Sequence, residues 1–112
     1  MHRRRGDIYT VATGSGYGGK PRPVLIMQNN AYGDMPHYIV AFIASRTVNA
    51  PSYRISVEPS EKNGLKQLSE IQPDMMMTVR WNQFGVFCGT LEDSLMKAVE
   101  QATLELLGLA DA

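Results

Sequence analysis

Arg22 stands between two prolines, Pro21 and Pro23, directly after the glycine-rich run TGSGYGGK at 13–20. Each proline biases the residue before it towards extended backbone, so Arg22 is held rather than loose. Ser45, Arg46 and Thr47 follow an apolar run, and Asp74 lies in QPDMMM. Together these residue types suit phosphodiester chemistry. RNA is cleaved without metal when a base takes the 2′-hydroxyl proton, a cation stabilises the charge on the phosphorane, and an acid serves the leaving 5′-oxygen. A guanidinium fits the middle task because its planar fork can bond two phosphate oxygens. As a base, Asp74 would need a pKa raised by partial burial, with the rate rising with pH through that value.

Other chemistries have little support. His2 and His37 are the only histidines, Cys88 is alone, and no carboxylates fall at a metal-ligand spacing, so neither metal nor cofactor is expected. There is no G-x-S-x-G elbow, and the glycine-rich run lacks the GK[ST] of a phosphate loop.

The 112 residues suit one domain spanning 1–112, with 1–5 as a basic tail. Eleven basic residues balance eleven acidic ones, which excludes holding nucleic acid by bulk charge. The balance hides a dipole, because 1–56 carry seven basic and two acidic side chains and 57–112 carry four and nine. A local patch containing Lys20, Arg22, Arg46 and Arg54 is therefore available. The unpaired cysteine, the lack of an apolar run after the basic start, and the absence of a stretch near 20 apolar residues point to the cytoplasm, away from membranes.

Alternation predicts strands at 7–12 and 53–58, the apolar run 37–45 is short enough for a central strand buried on both faces, and 24–28 and 84–88 complete the set. Between 58 and 84, residues 69–72 and 75–79 are either two strands or one bent strand bulged at Pro73-Asp74. From Thr90 the period becomes helical, with Leu95, Val99, Ala102 and Leu106 on one face, Thr90 as N-cap with Asp93 completing a capping box, and Gly108 as the stop. A strongly bent antiparallel sheet or open barrel with a closing C-terminal helix follows.

In RGDIYT, GGKPRPVLIMQNN, FIAS, RISVEP with NGL, SEIQPDMMMTV and FGVFCGTLED the sequence resembles the MazF/PemK family of bacterial toxin endoribonucleases over nearly its whole length. The resemblance implies a mainly β, SH3-like barrel of the PemK/CcdB toxin type with a C-terminal helix, and a homodimer. It implies metal-independent cleavage of single-stranded RNA to 2′,3′-cyclic phosphate ends, and inhibition by a cognate antitoxin. Carried over by position, the catalytic arginine falls on Arg22 and the PemK acidic residue on Asp74. The family threonine falls on Ala44, with Ser45 next to it as the substitute hydroxyl. Gln72 occupies the place of a PemK arginine, and Arg80 precedes Trp81 at a position the family makes basic. Tyr17, Lys20, Asn29, Arg46, Gln72 and Arg80 are the candidate RNA contacts, Tyr17 by stacking on an unpaired base. A same-fold toxin that acts by binding, as CcdB-like gyrase poisons do, or a member that binds RNA without cutting it, is the alternative. The ending LLGLADA, which lacks the aromatic motif of those poisons, favours the nuclease.

Overall fold

The computed structural model describes residues 3–12 and 20–111. Six strands form one antiparallel sheet: β1 (Asp7–Ala12), β2 (Pro21–Ile26), β3 (His37–Ser45), β4 (Ile55–Val57), β5 (Ser69–Arg80) and β6 (Phe84–Thr90), followed by the helix α1 (Asp93–Leu106). The order across the sheet is β4-β5-β3-β2-β1-β6.

Alternation along β2 and β3 sends apolar side chains to both faces, so the sheet carries two apolar layers. Ile8, Leu25, Ala41, Ile43 and Ile71 pack under Leu91, Met96 and Val99, which is where the apolar stripe of α1 is covered. Val11, Val24, Ile26, Tyr38, Val40 and Val79 form the second layer with Tyr9, Phe42, Met77 and Phe84 against it. Phe84 belongs to β6, three strands from β3, yet its ring centroid lies 5.7 Å from that of Tyr38. A flat sheet would separate those strands by roughly 14 Å at the usual spacing. The sheet is therefore curled into a half-barrel, with edge-to-face rings closing the curl.

β5 is one strand, the bent and bulged alternative of the two foreseen for 69–79. Its register on β3 runs Met76 opposite Ala41 and then Gln72 opposite Phe42, so 73–75 are extra residues without a partner there. Pro73, which has no N–H to offer a ladder, sits where none is required. The consecutive methionines have three surroundings: Met75 is exposed, Met76 packs on the first layer and Met77 on the second.

α1 starts later than expected. Thr90 ends β6, where its hydroxyl bonds Asp7 Oδ1 at 2.9 Å, and Glu92 is the N-cap residue, so the Thr90–Asp93 capping box does not form. Strand pairing to β1 has claimed the threonine. Gly108 does end the helix: its φ is 73°, its N–H reaches Glu105 O (3.1 Å), and Leu109 N–H reaches Leu104 O (2.8 Å). These are the bonds of a Schellman turn. In the segment expected as a basic tail, the Arg3 guanidinium lies 4.6 Å from the Tyr9 ring centroid and 4.9 Å from that of Phe84, and Arg5 pairs with Glu100 at 2.7 Å.

Candidate functional site

The two prolines that fence Arg22 also shape the space around it. β2 pairs with β1 from Pro21 to Leu25, with Arg22 opposite Val11, but pairs with β3 only from Val24 to Ile26. Pro21 and Pro23 have no N–H to extend the second ladder. Where the pairing stops, a cleft of about 190 Å³ opens, lined by Arg22, Phe42, Ile43, Ala44, Ser45 and Gln72. A second cleft of about 300 Å³ also reaches Arg22 and Ser45, and is walled by Leu65, Lys66 and Gln67 from the segment after the NGL turn. Arg22 lies on the face of the second apolar layer, at the rim where that layer gives way to polar side chains.

Ser45 lines both clefts, but by strand alternation its side chain is on the Ile43 face of β3, opposite that of Ala44 and Arg22; its Oγ accepts from Gln67 Nε2 at 2.6 Å. Being an acceptor there leaves its own O–H available as a donor. Gln72 lines the smaller cleft and donates through Nε2 to Glu70 Oε2 (2.8 Å).

Asp74 is placed by the bulge and is held by Arg54: Nε donates to Oδ1 (3.1 Å) and Nη2 to Oδ2 (2.7 Å), a fork-to-fork pair. The third arm of Arg54, Nη1, donates to Glu70 Oε2 at 3.0 Å. Glu70 is 1 % exposed and also accepts from the Thr47 N–H at 2.8 Å and from Thr47 Oγ1 at 3.4 Å. One buried carboxylate thus joins the loop after β3, the chain entering β4, and β5.

The charges follow from these bonds. The Arg54 hydrogen bonds hold the Asp74 carboxyl below the ordinary carboxylate range against a smaller opposing effect of burial. This corrects the expectation that Asp74 has a raised pKa: a bidentate guanidinium favours the anion more than partial burial disfavours it. Burial alone would push Glu70 up, but the Thr47, Gln72 and Arg54 donors outweigh it and leave Glu70 lowered as well. Arg54, hydrogen-bonded and charge-paired chiefly to Asp74, is shifted further into its protonated form.

The other predicted contacts are dispersed. Lys20 and Arg46 are exposed at the near ends of β2 and β3. Asn29 caps a short 3₁₀ turn by accepting from Ala31 N–H at 2.9 Å and lines a different groove. Arg80 pairs with His37 at the start of β3, the end opposite Ser45, so it does not join Arg22 within one chain. Tyr17 lies outside the described residues. Among the described residues no three His, Cys, Asp or Glu side chains gather in a metal-holding group, and no helix is long and apolar enough to cross a membrane.

Sequence reasoning placed Arg54 in the basic patch, whereas the structure commits it to Asp74 and Glu70, and Glu70 was missed altogether. Alternation does put Glu70 and Gln72 on one face of β5, and a glutamate on a strand next to buried Ile71 was the available signal.

A six-stranded curled sheet closed by one C-terminal helix is a fold found among solved bacterial toxins. Superposition on an endoribonuclease solved with its cognate antitoxin, from a mycobacterial species, gives a TM-score of 0.82 over 98% of this chain and 99% of that one, at 21% identity. The Mycobacterium tuberculosis toxin MazF-mt6 gives 0.77 at 26% identity, covering 93% and 98%. In sequence the chain is 36% identical over 107 residues to a probable endoribonuclease MazF of Mycolicibacterium smegmatis, covering 96% and 98% of the two chains. The pattern of the PemK-like, MazF-like toxins of type II toxin-antitoxin systems matches residues 4–107, and the chain belongs to that family.

Proposed function

We propose that this protein is a cytoplasmic toxin endoribonuclease that cuts single-stranded RNA at a short sequence without a metal, leaving 2′,3′-cyclic phosphate and 5′-hydroxyl ends. The observation that carries it is the cleft that brings Arg22, Ser45 and Gln72 together where two prolines end the β2–β3 ladder. A single strand fits such a rim, because its phosphate can meet a guanidinium while an unstacked base enters the cleft. In this scheme Arg22 bonds the non-bridging oxygens as the 2′-oxygen attacks and negative charge grows on the phosphorane. Asp74 takes the 2′-hydroxyl proton, the P–O5′ bond breaks, and the Ser45 O–H, resupplied from solvent, protonates the leaving 5′-oxygen. Asp74 begins as an anion, so its task is to accept, but its bonds to Arg54 make it a weak base and Arg22 supplies the larger effect.

The active form is a homodimer restrained by a cognate antitoxin. The face a second copy would cover is an apolar groove of about 780 Å³, lined by Met27, Tyr32, Met35, Ile39, Leu104 and Leu107 among others. Exposed apolar surface of that kind marks an association face.

The test is incubation of the purified, antitoxin-free protein with a long RNA in EDTA. Discrete fragments whose 5′ ends accept phosphate from a kinase without prior phosphatase treatment are expected. The Arg22→Ala protein should fold and lose about 10²- to 10³-fold in single-turnover rate. RNA left intact by the wild type, or equal cutting by Arg22→Ala, would refute the proposal.

A further inference from the structure

Gln72 is held asymmetrically. Its Nε2 donates to Glu70 Oε2 at 2.8 Å, whereas its Oε1 has no hydrogen-bond partner among the described residues. The side chain lines the small cleft beside Arg22 and Ser45. An amide can ordinarily turn over and exchange donor for acceptor. Here it cannot, because turning would set a carbonyl oxygen against an ionised, buried carboxylate. Glu70 is itself fixed by Thr47 and Arg54, so the orientation is imposed from below the cleft.

We infer that Glu70 is a positioning residue that locks the Gln72 amide so that its carbonyl oxygen is the free acceptor at the Arg22 cleft, making Gln72 a specificity determinant that favours a nucleobase carrying an exocyclic amino group. An acceptor in that place bonds the exocyclic amine of cytosine (N4), adenine (N6) or guanine (N2), whereas uracil offers it only a ring N3–H flanked by two carbonyl oxygens that it repels. The inference rests on the proposed RNA substrate, but it concerns which base is chosen rather than whether the strand is cut.

The experiment separates the two. A randomised single-stranded RNA pool is bound to the full-length wild type in EDTA at low salt, and bound molecules and cleaved ends are sequenced separately. The wild type should enrich cytosine, adenine or guanine over uracil at one position by about three- to tenfold, the range of one hydrogen bond. Gln72→Met should lose that enrichment at that position while keeping the preferences elsewhere. Glu70→Gln, whose amide can pair with either orientation of Gln72, should relax the same position and no other. A merely structural loss in Glu70→Gln would weaken binding to all sequences alike, and thermal melting reports whether each variant is folded. Base preference without cleavage would sink the nuclease proposal and uphold this one. Uracil enrichment at the affected position, unchanged preferences in both variants, or a wild type without base preference would overturn it.

Discussion

Asp74 shows how a neighbour sets the use of a residue. Because Arg54 keeps it ionised, the cleavage rate should be flat between about pH 5 and 8, without the rise through neutrality that a base with a raised pKa would produce. An ascending limb lost in Asp74→Asn would refute this. The same variant should lose less activity than Arg22→Ala, measured in single turnovers. Protonation also matters to stability. Asp74, Glu70 and Glu92 all have folded pKa values below their ordinary ones of 3.8 for Asp and 4.5 for Glu, so each stabilises the fold above those values, and that contribution is lost as pH falls through the folded values. Thermal melting should be level from pH 5 to 8 and fall steeply below about pH 4, and a melting temperature maintained at pH 3 would contradict it.

At the scale of the elements, the NGL turn is a docking device. Gly64 has φ 69°, and a Cβ built there would stand 1.9 Å from the Cys88 carbonyl oxygen, so the turn lies against β6 with no room for a side chain. Asn63 ties the same turn to Glu92 at the head of α1 through Nδ2 (3.1 Å). Gly64→Ala should destabilise the fold by at least about 1–3 kcal/mol from backbone strain alone, read by urea denaturation, and a wild-type midpoint would show that the contact yields. The motif was legible in the sequence, as were β1 and β3, because alternation and turn residues are local. The Gly108 helix stop was legible for the same reason. Thr90 was misassigned because two local roles competed and pairing with Asp7 decided between them. The Arg22 position was legible from its prolines, but the Arg54–Glu70–Asp74 network was not. Its members are sixteen and four residues apart, and they meet only because β4 pairs with β5 and the bulge turns Asp74 back towards Arg54.

For the whole molecule, zero net charge means that the proposed RNA binding rests on local basic side chains, Arg22 and Lys66 lining the clefts with Lys20 and Arg46 exposed at the near ends of β2 and β3. Three or four phosphate contacts predict a slope of about −2 to −3 for log affinity against log salt. A slope near zero in a fluorescence anisotropy titration would exclude this surface. Leu104, Leu107, Met35 and Ile39 are all exposed on one groove of a single chain. Leu104→Asp should therefore weaken self-association at least about tenfold in sedimentation, without unfolding the chain. A wild type that sediments as a monomer at micromolar concentration would remove the homodimer.

The bulge in β5 also divides the longest strand into two stretches of backbone. Residues 69–72 pair with β3 and those from 69 to 71 also with β4, residues 76–80 pair with β3, and 73–75 have no register partner on either neighbour. In hydrogen–deuterium exchange, the amides of Asp74 and Met75 should label orders of magnitude faster than those of Ile71 and Val79 on either side. Of the two halves, 69–72 is held by two neighbouring strands over most of its length and 76–80 by one, so Glu70 and Gln72 stay fixed while 73–75 exchange. Within β5, adding RNA should slow exchange next to the cleft, at 73–75, and leave 76–80 unchanged.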